Sequence, residues 1–243
     1  MIFMSGTRII SCFIACLLSA CAYQQPVTIV SPPAAAVTTE QVQYWWRVNY
    51  RIAWPENTEP ELFIDLLLAD AVIEPVLLMY RDSIAYWRFH RRAVRDEAGH
   101  QFSFIFYADK STARSIYQQL DHNKITRKML ETKILQKIIT DNTDSNTLTG
   151  ISATSDKNWP AALQNAWPAY IMGVSSAWLQ LINQEITDDK PVYALTTLLD
   201  EYKQADIVIS GLWYEQGQHA FLHHLNAMFG YQPTLVKKEP LQF

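Results

Sequence analysis

Cysteine is confined to the first 21 of the 243 residues, at Cys12, Cys16 and Cys21. The rest of the chain has no thiol, which excludes a disulfide framework, a cysteine nucleophile and cysteine-ligated zinc there. Glycine is scarce, with 7 in all. Phosphate-cradling loops need several, and neither a P-loop nor a G-x-G-x-x-G stretch is present. No G-x-S-x-G elbow occurs either, so nucleophilic catalysis of that type has no support. Positive charge is not in excess: the formal net charge is −4. A general nucleic-acid binder usually carries a basic footprint, so no nucleic acid is expected as a partner. No apolar run reaches the roughly 20 residues that span a bilayer, and no transmembrane helix is predicted.

What is present is apolar and aromatic. Hydrophobic residues make up 49% of the chain and aromatics 12%, with 8 Trp. A chain of this length can bury about 70% of its unfolded surface, so a globular core needs no covalent staple.

The first residues read as a secretory signal. Met1 to Arg8 carries one charge, Arg8, and Ile9 to Leu18 is apolar apart from Ser11. Small residues then precede a cysteine, in Leu18-Ser19-Ala20-Cys21. This tetrapeptide resembles the lipobox of bacterial lipoproteins, and the resemblance ends with the leader. It implies removal of residues 1–20, diacylation of the Cys21 thiol and acylation of its new amino group. One acyl chain holds a protein marginally and two or more hold it stably. Ala22, rather than aspartate, follows the cysteine. The resemblance therefore implies a palmitate-type anchor in the outer membrane of a bacterial envelope, on its inner leaflet and facing the periplasm. An ordinary cleaved signal that leaves Cys21 free is the other reading of the same residues.

Residues 21–40 are rich in Pro, Ala, Val and Thr and read as a tether. The globular domain is expected over 41–243, with a sheet-containing part (41–139), a polar loop (140–159) and a helical part (160–243). Gln43 to Ile52 alternates: Tyr44, Trp46, Val48, Tyr50 and Ile52 share one side, and Trp45, Arg47, Asn49 and Arg51 the other. Period two with aromatic and β-branched residues predicts a strand. Glu61 to about Tyr80 predicts a helix that Pro75 kinks or divides. Ser83–Val94 and Gln101–Tyr107 predict a hairpin turned by Asp96-Glu97-Ala98-Gly99. Asp109 or Ser111 offers an N-cap for the next helix. Helical sequence then continues to about Ile139, with a break near Asp121-His122-Asn123. Strand, helix, strand, strand, helix resembles the element order of the ferredoxin-like plait. The fourth strand of that plait has one weak candidate, Ile207–Ile209. The fold class expected is α+β: a small antiparallel sheet with a mostly helical C-terminal half, made of helices from Pro160 to Ile186, Thr196 to Lys203 and Leu212 to Phe229.

Two clusters carry candidate chemistry. Glu215, His219 and His223 lie four apart on one helix, so a divalent metal could be shared along that stripe. No H-E-x-x-H motif accompanies them, and a solvated polar face opposite Phe221, Leu225 and Met228 explains the stripe equally well. The second cluster is basic. If the strands pair as in a plait, Arg47 and Arg51 join Arg88, His90 and Arg92 on one sheet face. Guanidinium groups bind carboxylates and phosphates bidentately, which makes Arg88, His90 and Arg92 a candidate anion site. Neutralisation by acidic groups of the C-terminal half is the structural alternative. The tryptophans Trp45, Trp46, Trp87, Trp167, Trp178 and Trp213 sit at strand and helix spacing and read as core, with a sugar or peptide pocket as the alternative. The sequence thus points to a non-enzymatic, lipid-anchored binding or structural module of the envelope, with a protein or envelope component as partner. The competing reading is a metal-dependent hydrolase using Glu215, His219 and His223.

Overall fold

The computed structural model describes residues 42–186 and 194–230. Cys21 and the 21–40 tether lie outside them. The fold is α+β, with a four-stranded antiparallel sheet and a mostly helical C-terminal half. Four strands, β1 (Gln43–Ile52), β2 (Tyr86–Ala93), β3 (His100–Asp109) and β4 (Leu135–Thr140), pair in the order β2-β3-β1-β4. With helices between β1 and β2 and between β3 and β4, this order and connectivity are those of the ferredoxin-like plait.

The fourth strand is a correction to the sequence reading. Leu135–Thr140 was expected to be helical, and Ile207–Ile209, the strand candidate, lies inside a helix. The reason is local. Helix α4 (Lys124–Glu131) ends in a Schellman motif: Lys133 has φ 61°, its N–H donates to Leu130 O, and Ile134 N–H donates to Met129 O. A lysine takes the left-handed position usually held by glycine, so no glycine marks the stop. The β-branched run beyond it then pairs with β1.

Period two in β1 sorts its side chains as expected. Trp46, Val48, Tyr50 and Ile52 are buried in the main core, together with Phe102, Phe104 and Phe106 of β3 and Phe89 of β2. The helices supply the rest of this core. Between β1 and β2, α1 (Phe63–Leu67) passes through a π-helical turn (Leu68–Ile73) into α2 (Glu74–Tyr80). Pro75 sits in the first turn of α2, where its missing N–H costs least; the π-turn just before it takes up the register change that a proline forces. Helix α3 (Lys110–Asp121) starts at Asp109, whose carboxylate accepts from the N–H groups of Ser111 and Thr112 at 2.7 and 3.0 Å.

In the C-terminal half, α5 (Ala161–Glu185) packs along β2 and α6 (Leu195–Leu212) along α1. Strand β2 is an edge strand, and its outward Phe89 N–H is capped by the Ser175 hydroxyl of α5 at 3.0 Å. That pairing closes the edge against other chains. Pro168 inside α5 cannot donate to Gln164 O, and the Ser155 hydroxyl donates there instead at 2.7 Å. The loop before α5 is tied to the helix by this bond. Beyond α6, a second π-turn (Trp213–Gly217) leads into α7 (Gln218–Met228), none of whose residues is buried.

Candidate functional site

The face of the sheet turned away from the helical core is where the basic residues gather. Strand register fixes its rows. Tyr86, Tyr107 and Trp45 form the first row. Arg88, Ile105 and Arg47 form the second. His90, Ser103, Asn49 and Ile139 form the third. Arg92, Gln101, Arg51 and Lys137 form the fourth. All five basic residues grouped from sequence, Arg47, Arg51, Arg88, His90 and Arg92, therefore share one face, and Lys137 of β4 joins them.

The two ends of this face differ. The aromatic end is covered by the segment between β4 and α5. Trp45 Nε1 donates to Gly150 O and Ile151 O at 3.0 and 2.9 Å, and the Tyr107 hydroxyl donates to Thr149 O. Backbone pairing of Trp45 N–H with Leu148 O, and the Asn146 side-chain amide donating to Trp45 O, hold the segment against the β1 edge. Ala153, from the 3-10 turn Ile151–Thr154, packs on the Trp45–Ile105–Tyr107 cluster. The stretch expected to be a surface loop is thus a lid over three aromatic rings. From Ser145 to Ser155 it carries no charged residue.

The basic end is open. Arg92 forms a bidentate pair with Asp96 of the β2–β3 turn, and Arg51 donates to the backbone carbonyl of Glu97. Asp96 also accepts from the N–H groups of Ala98 and Gly99, and Gly99 takes the left-handed conformation (φ 60°) that closes the turn. Neither Arg47 nor Arg88 has a carboxylate within ion-pair distance among the described residues. Arg88 donates to Thr154 O at 3.3 Å, and its buried Nε has no partner. Arg51 Nε, Asn49 Oδ1 and Thr154 Oγ1 are likewise buried without one. Asp141, whose N–H donates to Arg47 O, is the nearest acid: burial pushes its carboxyl up, and Arg47 partly offsets this. Loss of hydration at the sheet surface, then the charges of Arg88, Arg47 and Arg92, hold His90 below the usual histidine range. Burial, then Arg47, lowers Arg88. Uncompensated positive charge of this kind can bind oxyanions; it supplies no nucleophile and no acid–base pair.

The structure places the other candidate cluster differently. Glu215 lies in the π-turn and His219 and His223 in α7. The two imidazoles lie side by side, 5.5 Å between centroids. No group of three or more His, Cys, Asp or Glu suited to a metal ion occurs among the described residues. Trp45, Trp46 and Trp178 are packed side chains, whereas Trp213 is exposed. No helix among the described residues is long and apolar enough to cross a membrane.

One polar cluster was missed by sequence reasoning. Asp65 of α1 is fully buried, accepting from Arg91 Nε at 2.8 Å and lying 3.0 Å from His100 Nε2. The Arg91 guanidinium also stacks over Trp178, 4.8 Å from its centroid. The signal was there, since Arg91 shares a side of β2 with Trp87 and Phe89. Asp65 and His100 are both fully enclosed, so this is a core ion cluster that no substrate reaches. A shallow cleft lined by Glu61, Phe63, Ile64, Thr196, Leu199 and Lys203 contains none of the residues singled out from sequence. Comparison with protein-family models, curated proteins and solved structures returns no match.

Proposed function

We propose that the protein is a lipid-anchored binding module of a bacterial envelope, held through Cys21 to the inner leaflet of the outer membrane, and that the open basic face of its sheet receives an acidic partner. One observation carries the reading: Arg47 and Arg88 flank Ile105 on the sheet face away from the helical core, and neither meets a carboxylate among the described residues. In a chain with a net charge of −4, a local field of opposite sign favours and steers an anionic partner. An envelope protein or component, rather than nucleic acid, is the expected class, because a lipid anchor of this type places the domain outside the cytosol.

Two measurements test it. Labelling cells with radioactive palmitate is expected to mark the parent and not a Cys21→Ser variant; equal labelling would remove the anchor from the account. A photocrosslinking residue at Lys137, on the basic face, is expected to trap a partner in intact envelopes, and the same residue at Lys124 on α4 is not. Equal yields at both sites, or a Lys137 adduct that survives Arg47→Glu, would remove the basic face. The metal-dependent hydrolase has its own test: a bound stoichiometric metal lost in His219→Ala would favour it.

A further inference from the structure

We infer that the corner formed by Arg47, Arg88 and His90 is a binding site for a phosphate dianion, free or carried as a monoester on a larger envelope component. This rests on the reading of the basic face as the recognition surface and names the chemistry recognised there.

The register sets the dimensions. Adjacent strands lie about 4.8 Å apart, so the Cα atoms of Arg47 and Arg88, on either side of β3, are about 10 Å apart. His90, two residues along β2 from Arg88, lies about 7 Å along the strand on the same face. Ile105, between the two arginines, is buried and offers no competing polar group. Register thus sets two arginines and a histidine around Ile105 on one face of the sheet, beside the lid whose Ala153 covers that isoleucine.

Three independent features point to an occupant with more than one negative charge. First, the lid that reaches Arg88 brings no carboxylate: residues 145–155 are uncharged, and the contact is a backbone carbonyl. Second, Arg88 Nε is a buried donor without a partner. Buried polar atoms of native proteins usually have a protein or water partner, and an oxyanion oxygen is one acceptor that suits this donor. Third, Arg92 and Arg51 on the next rows are already engaged by the β2–β3 turn through Asp96 and the Glu97 carbonyl. The chain therefore gives Arg92 a carboxylate, and gives Arg47 and Arg88 none among the described residues, although Arg51 Nε is as unpartnered as Arg88 Nε. A carboxylate is planar, carries one charge and matches one guanidinium fork. A tetrahedral phosphate presents oxygens in several directions and up to two charges, which matches two arginines and a histidine on one face.

The site also predicts a proton linkage. The charged groups facing His90 are Arg88, Arg47 and Arg92, with Asp141 beyond Arg47, and the three arginines with burial keep the empty imidazole below its usual range. A dianion beside the ring favours the imidazolium, so binding takes up a proton. Affinity for a phosphate monoester then rises as pH falls from 8 toward the monoester's second pKa, which is about 6.

The test is calorimetric titration of the full-length lipidated protein in detergent with inorganic phosphate, phenyl phosphate and acetate. Saturable 1:1 binding of both phosphates is expected, with acetate at least tenfold weaker. Arg88→Gln and Arg47→Gln should each lose tenfold or more, and Lys124→Gln on α4 less than twofold. His90→Gln should remove the rise in phenyl phosphate affinity between pH 8 and 6.5. Unchanged urea midpoints establish that each variant is folded; Arg88→Lys, which keeps charge and loses the fork, is the second variant at that site. Phosphatidylcholine vesicles with and without phosphatidic acid assign the source: Arg88-dependent competition by the phosphatidic acid vesicles marks a lipid headgroup, and its absence with phosphate binding intact marks a soluble or sugar phosphate. Acetate binding as tightly as phosphate, or phosphate affinity unchanged in Arg88→Gln, would overturn the inference. If no phosphate binds while the Lys137 crosslink persists and is lost in Arg47→Glu, the phosphate chemistry falls and the acidic-partner reading stands.

Discussion

The two faces of one sheet are built from alternate residues of the same strands, yet they treat charge in opposite ways. On the helix-covered face, Asp65 meets both Arg91 and His100, and the positions around it are Trp, Phe, Val and Ile. On the open face, Arg47 and Arg88 have no carboxylate within ion-pair distance among the described residues. Burial of an unpaired ion is expensive, so the covered face had to acquire its acid. Exposure to water tolerates unpaired arginines, so the open face could keep them without an acid of its own. The difference separates residues that hold the fold from residues that the fold displays.

Four substitutions sharpen or break that contrast. Phe104, stacked on Phe106 at 4.9 Å and fully buried, should cost about 3–5 kcal/mol as Phe104→Ala in urea unfolding; a loss below about 1 kcal/mol would mean that this face is not the core. Asp65→Ala should cost about 3 kcal/mol by leaving His100 and Arg91 without their acid. A smaller loss would show that water reaches the cluster. Asp109→Ala removes the cap of α3 and should cost about 1 kcal/mol at neutral pH. Burial pushes the Asp109 carboxyl up, but hydrogen bonds from Ser111 and Thr112 outweigh this and hold it below the usual range. Its folded pKa is therefore depressed, so the capping contribution is full above the unfolded value of about 3.9 and fades as pH falls through the folded one. Parent and variant should converge in stability at the acid end of an unfolding series. Arg88→Gln, on the open face, should change stability by about 0.5 kcal/mol or less, while changing ligand binding at least tenfold.

How much of this was legible in the sequence varies with the range of the forces involved. The strand Gln43–Ile52, its two faces, the Asp109 cap and the Asp96–Gly99 turn follow from local periodicity and turn chemistry, and each stands where expected. The break between α3 and α4 also falls at His122–Asn123, with Asn123 as the new cap. The fourth strand was not legible, because a lysine in the left-handed conformation ends α4 and because Ile134, Leu135, Ile138 and Ile139 fit helical spacing as well as a strand. Membership of the basic face was legible only conditionally: Arg88, His90 and Arg92 are fixed by one strand, but their meeting with Arg47 and Arg51 depends on register, where a slip of one residue reverses the face. The lid over Trp45 and the Asp65 cluster depend on contacts between residues far apart in sequence, which no local pattern records. The π-turn at Trp213–Gly217, which holds Glu215, left no mark in the local pattern either.

The most direct test of the claim that the open face is occupied in the cell is arginine footprinting with phenylglyoxal, read by mass spectrometry, on the purified protein and on intact envelopes. Arg47 and Arg88 are predicted to react several-fold more slowly in envelopes than in the purified protein, while Arg114 and Arg127 on the helical side react equally in both. Equal reactivity of Arg47 and Arg88 in the two preparations would contradict the account.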